Sequence, residues 1–300
     1  MRVFVTGASG HIASAVIPEL IEAGHEVSGL ARSDRSAQVV EALGARTVRG
    51  DLSRLDVLRQ AAGEADGVVH LALFDADEMR AGNMAGAGAA GAKAVAALGD
   101  ALAGTGKPLI SAAAIGALGP QGRPAVESDI APTQGPAAAE SVVLGLAERS
   151  VRAAVVRLPL ITHSRPNRRG FAGALIDIAR RTGMSGYAGD GTNRWPAVHT
   201  IDAGRLFRLA LEDAPAGTRW HAVHDEGVPL RDVAETIGEH LGLPAVSIPD
   251  EQLPQHFGFL STLVAFDLPA VSTATQSRLH WTPTHPRLMD DLAYDDFYTV

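Results

Sequence analysis

The sequence predicts an α/β fold: a doubly wound parallel sheet followed by a smaller C-terminal lobe. Three observations carry the prediction. Short apolar runs alternate with segments of helical spacing through the first half of the chain. The runs are apolar along their whole length, as parallel strands covered on both faces must be. Beyond Pro159 the pattern gives way to longer loops and a Pro-rich end.

Taken in order, Val3-Phe4-Val5 is a strand and Thr6-Gly7-Ala8-Ser9-Gly10 a turn. Ile12, Val16, Leu20 and Ile21 then recur at helical spacing up to Gly24, a suitable stop glycine. Pro18 lies inside that helix and is expected to kink it, because proline removes a hydrogen bond and crowds the preceding turn. Residues 26–31 form a second strand, and Ser33-Asp34 caps a helix that ends near Leu43-Gly44. Residues 47–49 read as strand, 52–62 as helix and 67–71 as strand. A long Ala/Gly-rich helix over 83–104 leads to a strand at 108–110, and a helix over 137–148 precedes a strand at 153–158. Further helices are expected near 171–181, 202–212 and 229–241, with loops over 162–170 and 184–197.

Composition narrows the function classes. The chain has 300 residues, no cysteine and a net charge of −8. Without Cys there is no disulfide scaffold, thiol nucleophile, thiolate zinc site or Cys-ligated cluster, which suits a reducing cytoplasm. The acidic balance argues against a nucleic-acid partner, which would call for a basic stripe. No apolar run approaches the ~20 residues of a membrane span, and the first residues carry no signal-peptide core. A soluble, cytoplasmic protein is expected. The 26 basic residues comprise only two lysines, Lys93 and Lys107.

The first turn carries the chemistry. Gly7 allows a tight turn after the strand, and Gly10 removes a Cβ so that backbone amides can approach a pyrophosphate. Ala13 stands where a third glycine would permit close packing. A dinucleotide would then lie over Gly7, Ser9, Gly10, His11 and Ile12. An NAD site places an acid at the end of the second strand to hold the ribose 2′-OH. Here Leu30-Ala31 is neutral and Arg32-Ser33 follows, with Arg35 nearby, a set suited to a 2′-phosphate. The expected cofactor is therefore NADP(H), although Asp34 could instead touch the ribose.

These residues resemble the short-chain dehydrogenase/reductase superfamily, in its extended or atypical, epimerase-like branch. The matches are Thr6-Gly7-Ala8-Ser9-Gly10-His11-Ile12-Ala13 (TGxxGxxG, last Gly changed), Gly50-Asp51-Leu52, Val68-Val69-His70-Leu71-Ala72, Asn83-Met84-Ala85-Gly86, Arg157-Leu158-Pro159, and Val198-His199-Thr200-Ile201-Asp202. They cover roughly residues 1–212. The resemblance implies a Rossmann fold with an NADP-binding domain over 1–160 and a smaller, intertwined substrate-binding lobe over 161–300. It also implies adenine contacts from Asp51 and Leu52. The nicotinamide half would be lined by Leu71, Ala72, Leu73, Ser111, Pro159, Ile161 and Thr162. In extended members the helices equivalent to 83–104 and 137–148 form a dimer's four-helix bundle, so a homodimer is an expectation.

The catalytic pattern departs from the family. Its oxidoreductases use Tyr-x-x-x-Lys on the helix before the RxP strand, but the tyrosines here are Tyr187, Tyr294 and Tyr298. Counting back from Glu140, the corresponding positions fall near Thr133 or Pro132 and Pro136. Three residues are candidates for handling a proton or carbonyl: Ser111 after the fifth strand, His163 as the residue type suited to proton transfer near neutrality, and Tyr187 reaching in from the second lobe. His221 and His224 have metal-like spacing, yet on a strand they would face opposite sides; no metal site is expected. The reading is an NADP(H)-dependent oxidoreductase acting on a small organic carbonyl or activated alkene. The alternatives are a non-redox isomerase, cyclase or dehydratase, and a non-catalytic NADP sensor.

Overall fold

A computed structural model describes residues 1–72, 84–133, 137–165 and 170–299. The first half alternates as expected: β1 (Arg2–Thr6), α1 (Ala13–Glu22), β2 (Glu26–Ala31), α2 (Asp34–Ala42), β3 (Arg46–Arg49), α3 (Leu55–Glu64), β4 (Gly67–His70), α4 (Met84–Leu102), β5 (Pro108–Ala114), α5 (Ala138–Gly145) and β6 (Arg152–Leu158). With β10 (Thr218–His221), these strands make one seven-stranded sheet in the order β10-β6-β5-β4-β1-β2-β3. Every pairing in it is parallel. The chain reverses direction across the sheet between β1 and β4, the place where such sheets open a ligand crevice at their carboxyl ends.

Strand periodicity explains why both faces are covered. On β1, Val3 and Val5 join Val16, Ile17 and Leu20 of α1 and Leu206 and Phe207 of α7 (Thr200–Asp213) in one core. Phe4 points the other way, into a second core with Leu58 of α3 and Leu98 of α4. Ala13 is fully buried. The close approach of α1 to α7 comes from Gly204, where a Cβ would lie 3.0 Å from the Ala15 carbonyl group.

Local chemistry shifts some boundaries. Helix α1 runs from Ala13 to Glu22 through Pro18, which lies on its exposed side. Helix α3 begins at Leu55 rather than at 52 because Asp51 first folds a turn, accepting hydrogen bonds from the Ser53 amide at 2.8 Å and hydroxyl at 2.6 Å.

The second half builds a separate core around β7 (Ile161–His163), α6 (Phe171–Thr182), β8 (Ser185–Ala188), β9 (Arg194–His199), β11 (Asp225–Pro229), α8 (Leu230–Leu241) and β12 (Ala245–Ile248). The expected loop over 184–197 is corrected here, since it contains β8 and most of β9. Neither has a local signature. Strand β8 pairs with β12, a distant segment, and β9 carries Pro196, which ordinarily argues against a strand. That proline is tolerated because β11 bulges opposite it. Asp225 pairs with Ala197 and Val228 with Trp195, leaving Pro196 beside the irregular step.

Candidate functional site

The glycine turn has the shape a dinucleotide requires. Gly7 has φ +66°, a left-handed conformation, and a Cβ there would sit 2.9 Å from the Ala72 nitrogen. The backbone of Leu71-Ala72 thus crosses directly over the turn. Leu73, expected beside them, lies outside the described residues. The Gly10 amide donates to the Gly7 carbonyl at 2.9 Å. Helix α1 then starts behind Ile12 with no side chain capping its N-terminus, where amides and the helix dipole favour an anion. The turn is also tied to the second half of the chain: His11 Nε2 donates to the Thr162 carbonyl at 3.2 Å. A cradle that a Cβ would fill, beside an uncapped helix end, fits a pyrophosphate.

The corner expected to take the adenosine gathers more charge than the sequence suggested. Arg32 is exposed directly after β2. Ser33 is the N-cap of α2 and accepts from the Ser36 amide at 3.2 Å. Asp34 forms an ion pair with Arg49, Nη2 to Oδ1, at 2.7 Å. Arg49 was missed because only the β2–β3 register, Ala31 opposite Arg49, brings it there. Its signal was a strand ending Arg49-Gly50-Asp51. The hydrogen bonds from Ser53 hold the Asp51 carboxyl below the usual carboxylate range. Leu52 is half-buried on the core beneath.

On the side expected to face the nicotinamide, His70 at the end of β4 is fully buried, and its Nδ1 is 2.7 Å from the Thr6 hydroxyl. Burial pushes its pKa down to about 4, so the ring is neutral near pH 7. Ser111 pairs in register with His70, but its hydroxyl donates to the adjacent Ala112 carbonyl at 3.1 Å. Pro159 and Ile161 are buried where β6 passes into β7. Helix α5 is pinned to that strand by a buried charge cluster: Arg157 Nε and Nη2 donate to Glu140 at 2.9 and 2.5 Å, and Arg219 Nε donates to Glu140 at 3.0 Å. Arg157 also reaches the Asp129 carbonyl and the His221 ring. Of the positions counted back from Glu140, Pro136 lies outside the described residues.

The remaining candidates separate. His163 ends β7 fully buried, with its Nδ1 2.8 Å from Asp291 Oδ2 in α11 (Leu288–Leu292, after the short α9, Leu253–Phe257, and α10, Thr273–Arg278). Its Nε2 is buried without a hydrogen-bond partner among the described residues. Arg165 Nε is 3.4 Å from the other Asp291 oxygen, and His199 Nε2 is 3.8 Å from Oδ2. Burial, aided by the nearby His163 ring, lowers the His199 pKa to about 4. Asp202 receives the Thr284 and His285 amides and the His285 ring, which fastens the C-terminal segment to the start of α7. A cavity of ≈440 Å³ opens beside this cluster, lined by Arg165, His224, His285, Arg287 and Tyr294 among others. Sequence reasoning missed Asp291, which lies 128 positions from its partner. Tyr187 is placed apart, on β8, with the Arg231 guanidinium 5.1 Å above its ring. His221 ends β10 and His224 lies beyond it; no metal-binding group of three occurs among the described residues. No helix among them is long and apolar enough to cross a membrane.

Comparison with known proteins agrees with this geometry. An uncharacterized protein of Schizosaccharomyces pombe is 40% identical over 301 residues, covering 99% of this chain and 100% of that protein. A 2′-dehydrokanamycin reductase of Streptomyces kanamyceticus is 29% identical over 261 residues, covering 84% of this chain and 70% of that enzyme. Among solved structures, a dTDP-glucose 4,6-dehydratase from Streptomyces venezuelae with NAD bound superposes with a TM-score of 0.79 at 17% identity, covering 99% of this chain and 96% of that one. The profile of the NAD dependent epimerase/dehydratase family matches residues 3–222. A glycine turn at β1, a seven-stranded parallel sheet and a profile match over most of the chain lead to one conclusion: this protein is a member of the NAD dependent epimerase/dehydratase family.

Proposed function

We propose that the chain is an NADP(H)-dependent reductase acting on the carbonyl of a small polar organic substrate. The observation that carries the reading is the corner after β2, where Arg32 and Ser33 follow the strand and Arg49 reaches Asp34 at 2.7 Å. Guanidinium groups of this kind suit a 2′-phosphate. Gly7, Ser9, Gly10, His11 and Ile12 would hold the pyrophosphate, Asp51 and Leu52 the adenine, and Leu71, Ala72, Ser111, Pro159, Ile161 and Thr162 the nicotinamide half. Bound there, the cofactor supplies a hydride to the substrate carbonyl.

The resulting alkoxide needs a proton. Among the three candidates, Ser111 spends its hydroxyl on Ala112 and Tyr187 packs with Arg231 in the second lobe. His163 alone combines a ring nitrogen held by a carboxylate with a second nitrogen left unpartnered. With Nδ1–H held by the Asp291 carboxylate, His163 would give the proton from Nε2 as the imidazolium and be left as the neutral ring, to be reprotonated from water. The 2′-dehydrokanamycin reductase relative supports a carbonyl as substrate. The epimerase/dehydratase family supports a second reading, an isomerisation or elimination without net consumption of the cofactor.

The test is NADPH consumption by the purified chain over a panel of ketones, keto sugars and aldehydes. Stoichiometric oxidation with a reduced product supports the reductase, whereas product without net NADPH loss favours the second reading. His163→Gln should abolish turnover while leaving NADPH binding within about twofold. Full activity in that variant would remove His163 from the mechanism.

A further inference from the structure

The cavity of ≈440 Å³ lies where the end of β7 meets the chain from Thr284 to Tyr294, and the described residues that line it include none from the glycine turn. Its size falls toward the lower end of the ~300–1,000 Å³ that small-molecule sites occupy. Two guanidiniums face it, Arg165 and Arg287, with the rings of His224, His285 and Tyr294 and the Thr284 hydroxyl. Three of the basic groups are held from behind by carboxylates. Arg165 Nε lies 3.4 Å from Asp291, Arg287 Nη1 donates to Asp225 at 3.0 Å, and His285 Nδ1 lies 2.9 Å from Asp202. Those carboxylates come from α11, β11 and α7, and all three are buried. The Tyr294 ring, 4.3 Å from the Arg165 guanidinium, fixes its plane, and His285 stacks on His199 at 4.8 Å. The donors are thus set in direction before a ligand arrives. A guanidinium bound through one nitrogen keeps the others for a second acceptor. His224 adds an unsatisfied group. Burial, aided by the Arg287 charge, lowers its pKa, and its Nδ1 is buried without a hydrogen-bond partner among the described residues.

We infer that this cavity binds a carboxylate of the substrate, which makes the substrate a small oxo acid. The inference rests on the reading of the chain as a carbonyl reductase with His163 as proton donor. The planar fork of N–H donors on a guanidinium matches the two oxygens of a carboxylate. Charge decides between the oxyanions. The lining carries Arg165 and Arg287 against Asp290, an excess of one fixed positive charge. That suits a monoanionic carboxylate. A phosphate dianion would bring a second negative charge up to three buried carboxylates with nothing fixed to balance it. Asp291 joins this cavity to the proton donor: one oxygen holds His163 Nδ1 at 2.8 Å and the other faces Arg165 at 3.4 Å. The proton donor and one anchor of the carboxylate therefore share a single buried support, so that anchoring the acid presents a carbonyl a few bonds away to His163. In the reduction the carbonyl gains the hydride of NADPH and a proton and becomes a hydroxyl. The carboxylate is unchanged and serves only to hold the molecule.

The experiment compares NADPH-dependent reduction of pyruvate and levulinate by the full chain with that of their methyl esters, which keep the carbonyl and lack the charge. The acids should be preferred at least about tenfold in kcat/KM, mainly through KM. A second arm is independent of turnover. Oxamate, which carries a carboxylate and no ketone, is titrated into the chain by calorimetry, with inorganic phosphate as the rival oxyanion. Arg287→Gln should weaken oxamate at least about tenfold, and Arg287→Lys by less, since the charge stays and the fork is lost. Arg165→Gln should show the same loss with the Asp225 pair intact, so a folding defect in one variant, read as a lowered Tm, does not decide the outcome. If the esters are reduced as well as the acids, the inference is overturned and the reductase reading stands. The same holds if oxamate fails to bind, binds parent and variants equally, or is displaced by phosphate with equal affinity. If oxamate binding depends on both arginines and no carbonyl compound consumes NADPH, the reductase reading falls and the carboxylate site stands.

Discussion

His70 should control a measurable part of the acid sensitivity of this fold. The ring is fully buried at the end of β4, bonded to Thr6, and burial holds its pKa at about 4 against an ordinary 6.5. The unfolded chain therefore binds a proton at a pH where the folded chain refuses it. The stability that neutral His70 contributes is complete above pH 6.5 and declines as the pH falls toward 4. At pH 5 the unfolded ring is almost fully protonated and the folded ring about one-tenth protonated, which makes the loss about 2 kcal/mol. That is a substantial share of a domain stability of about 5–15 kcal/mol. Asparagine can present a polar atom near the Nδ1 position without titrating. The assay is urea unfolding of the parent and His70→Asn at pH 7 and pH 5. The variant should be the less stable at pH 7, and the gap should narrow by about 2 kcal/mol at pH 5. A gap that stays constant between the two pH values would refute the claim that His70 is held neutral by burial.

Other sites give sharper tests of architecture. Gly7→Ala places a Cβ 2.9 Å from the Ala72 backbone at a positive φ, and should cost at least about 1–2 kcal/mol while weakening nucleotide binding; unchanged binding by calorimetry would contradict the close approach of residues 71–72. Glu140→Ala leaves the buried Arg157 without its carboxylate and should cost about 3–5 kcal/mol in chemical denaturation; a loss under about 1 kcal/mol would mean that the guanidinium finds another partner. Asp291→Asn removes the charge facing His163, Arg165 and His199, and should lower Tm and raise proteolysis of the C-terminal segment. Intact resistance to protease would show that the other anchors, Asp202 and Asp225 among them, secure that segment without Asp291.

The first half of the chain was legible because its signals are local. Val3-Phe4-Val5 alternates between two covered faces, Ser33 caps α2, and Gly7 takes the conformation that only glycine adopts readily. Each of these depends on residues within a few positions of one another, so spacing alone reveals it. The second half resisted the same treatment. Strand β8 exists because β12 pairs with it, and Pro196 is admissible in β9 because β11 bulges opposite. The site follows the same division. The glycine turn and Arg32 follow from spacing, and the candidates Ser111 and His163 from the family resemblance. The Arg49–Asp34 pair requires the β2–β3 register, and the Asp291–His163 pair requires α11 to pack on β7. Hydrogen bonds and ion pairs act over a few ångströms in space, and nothing in linear order marks which distant residues folding will bring within that range.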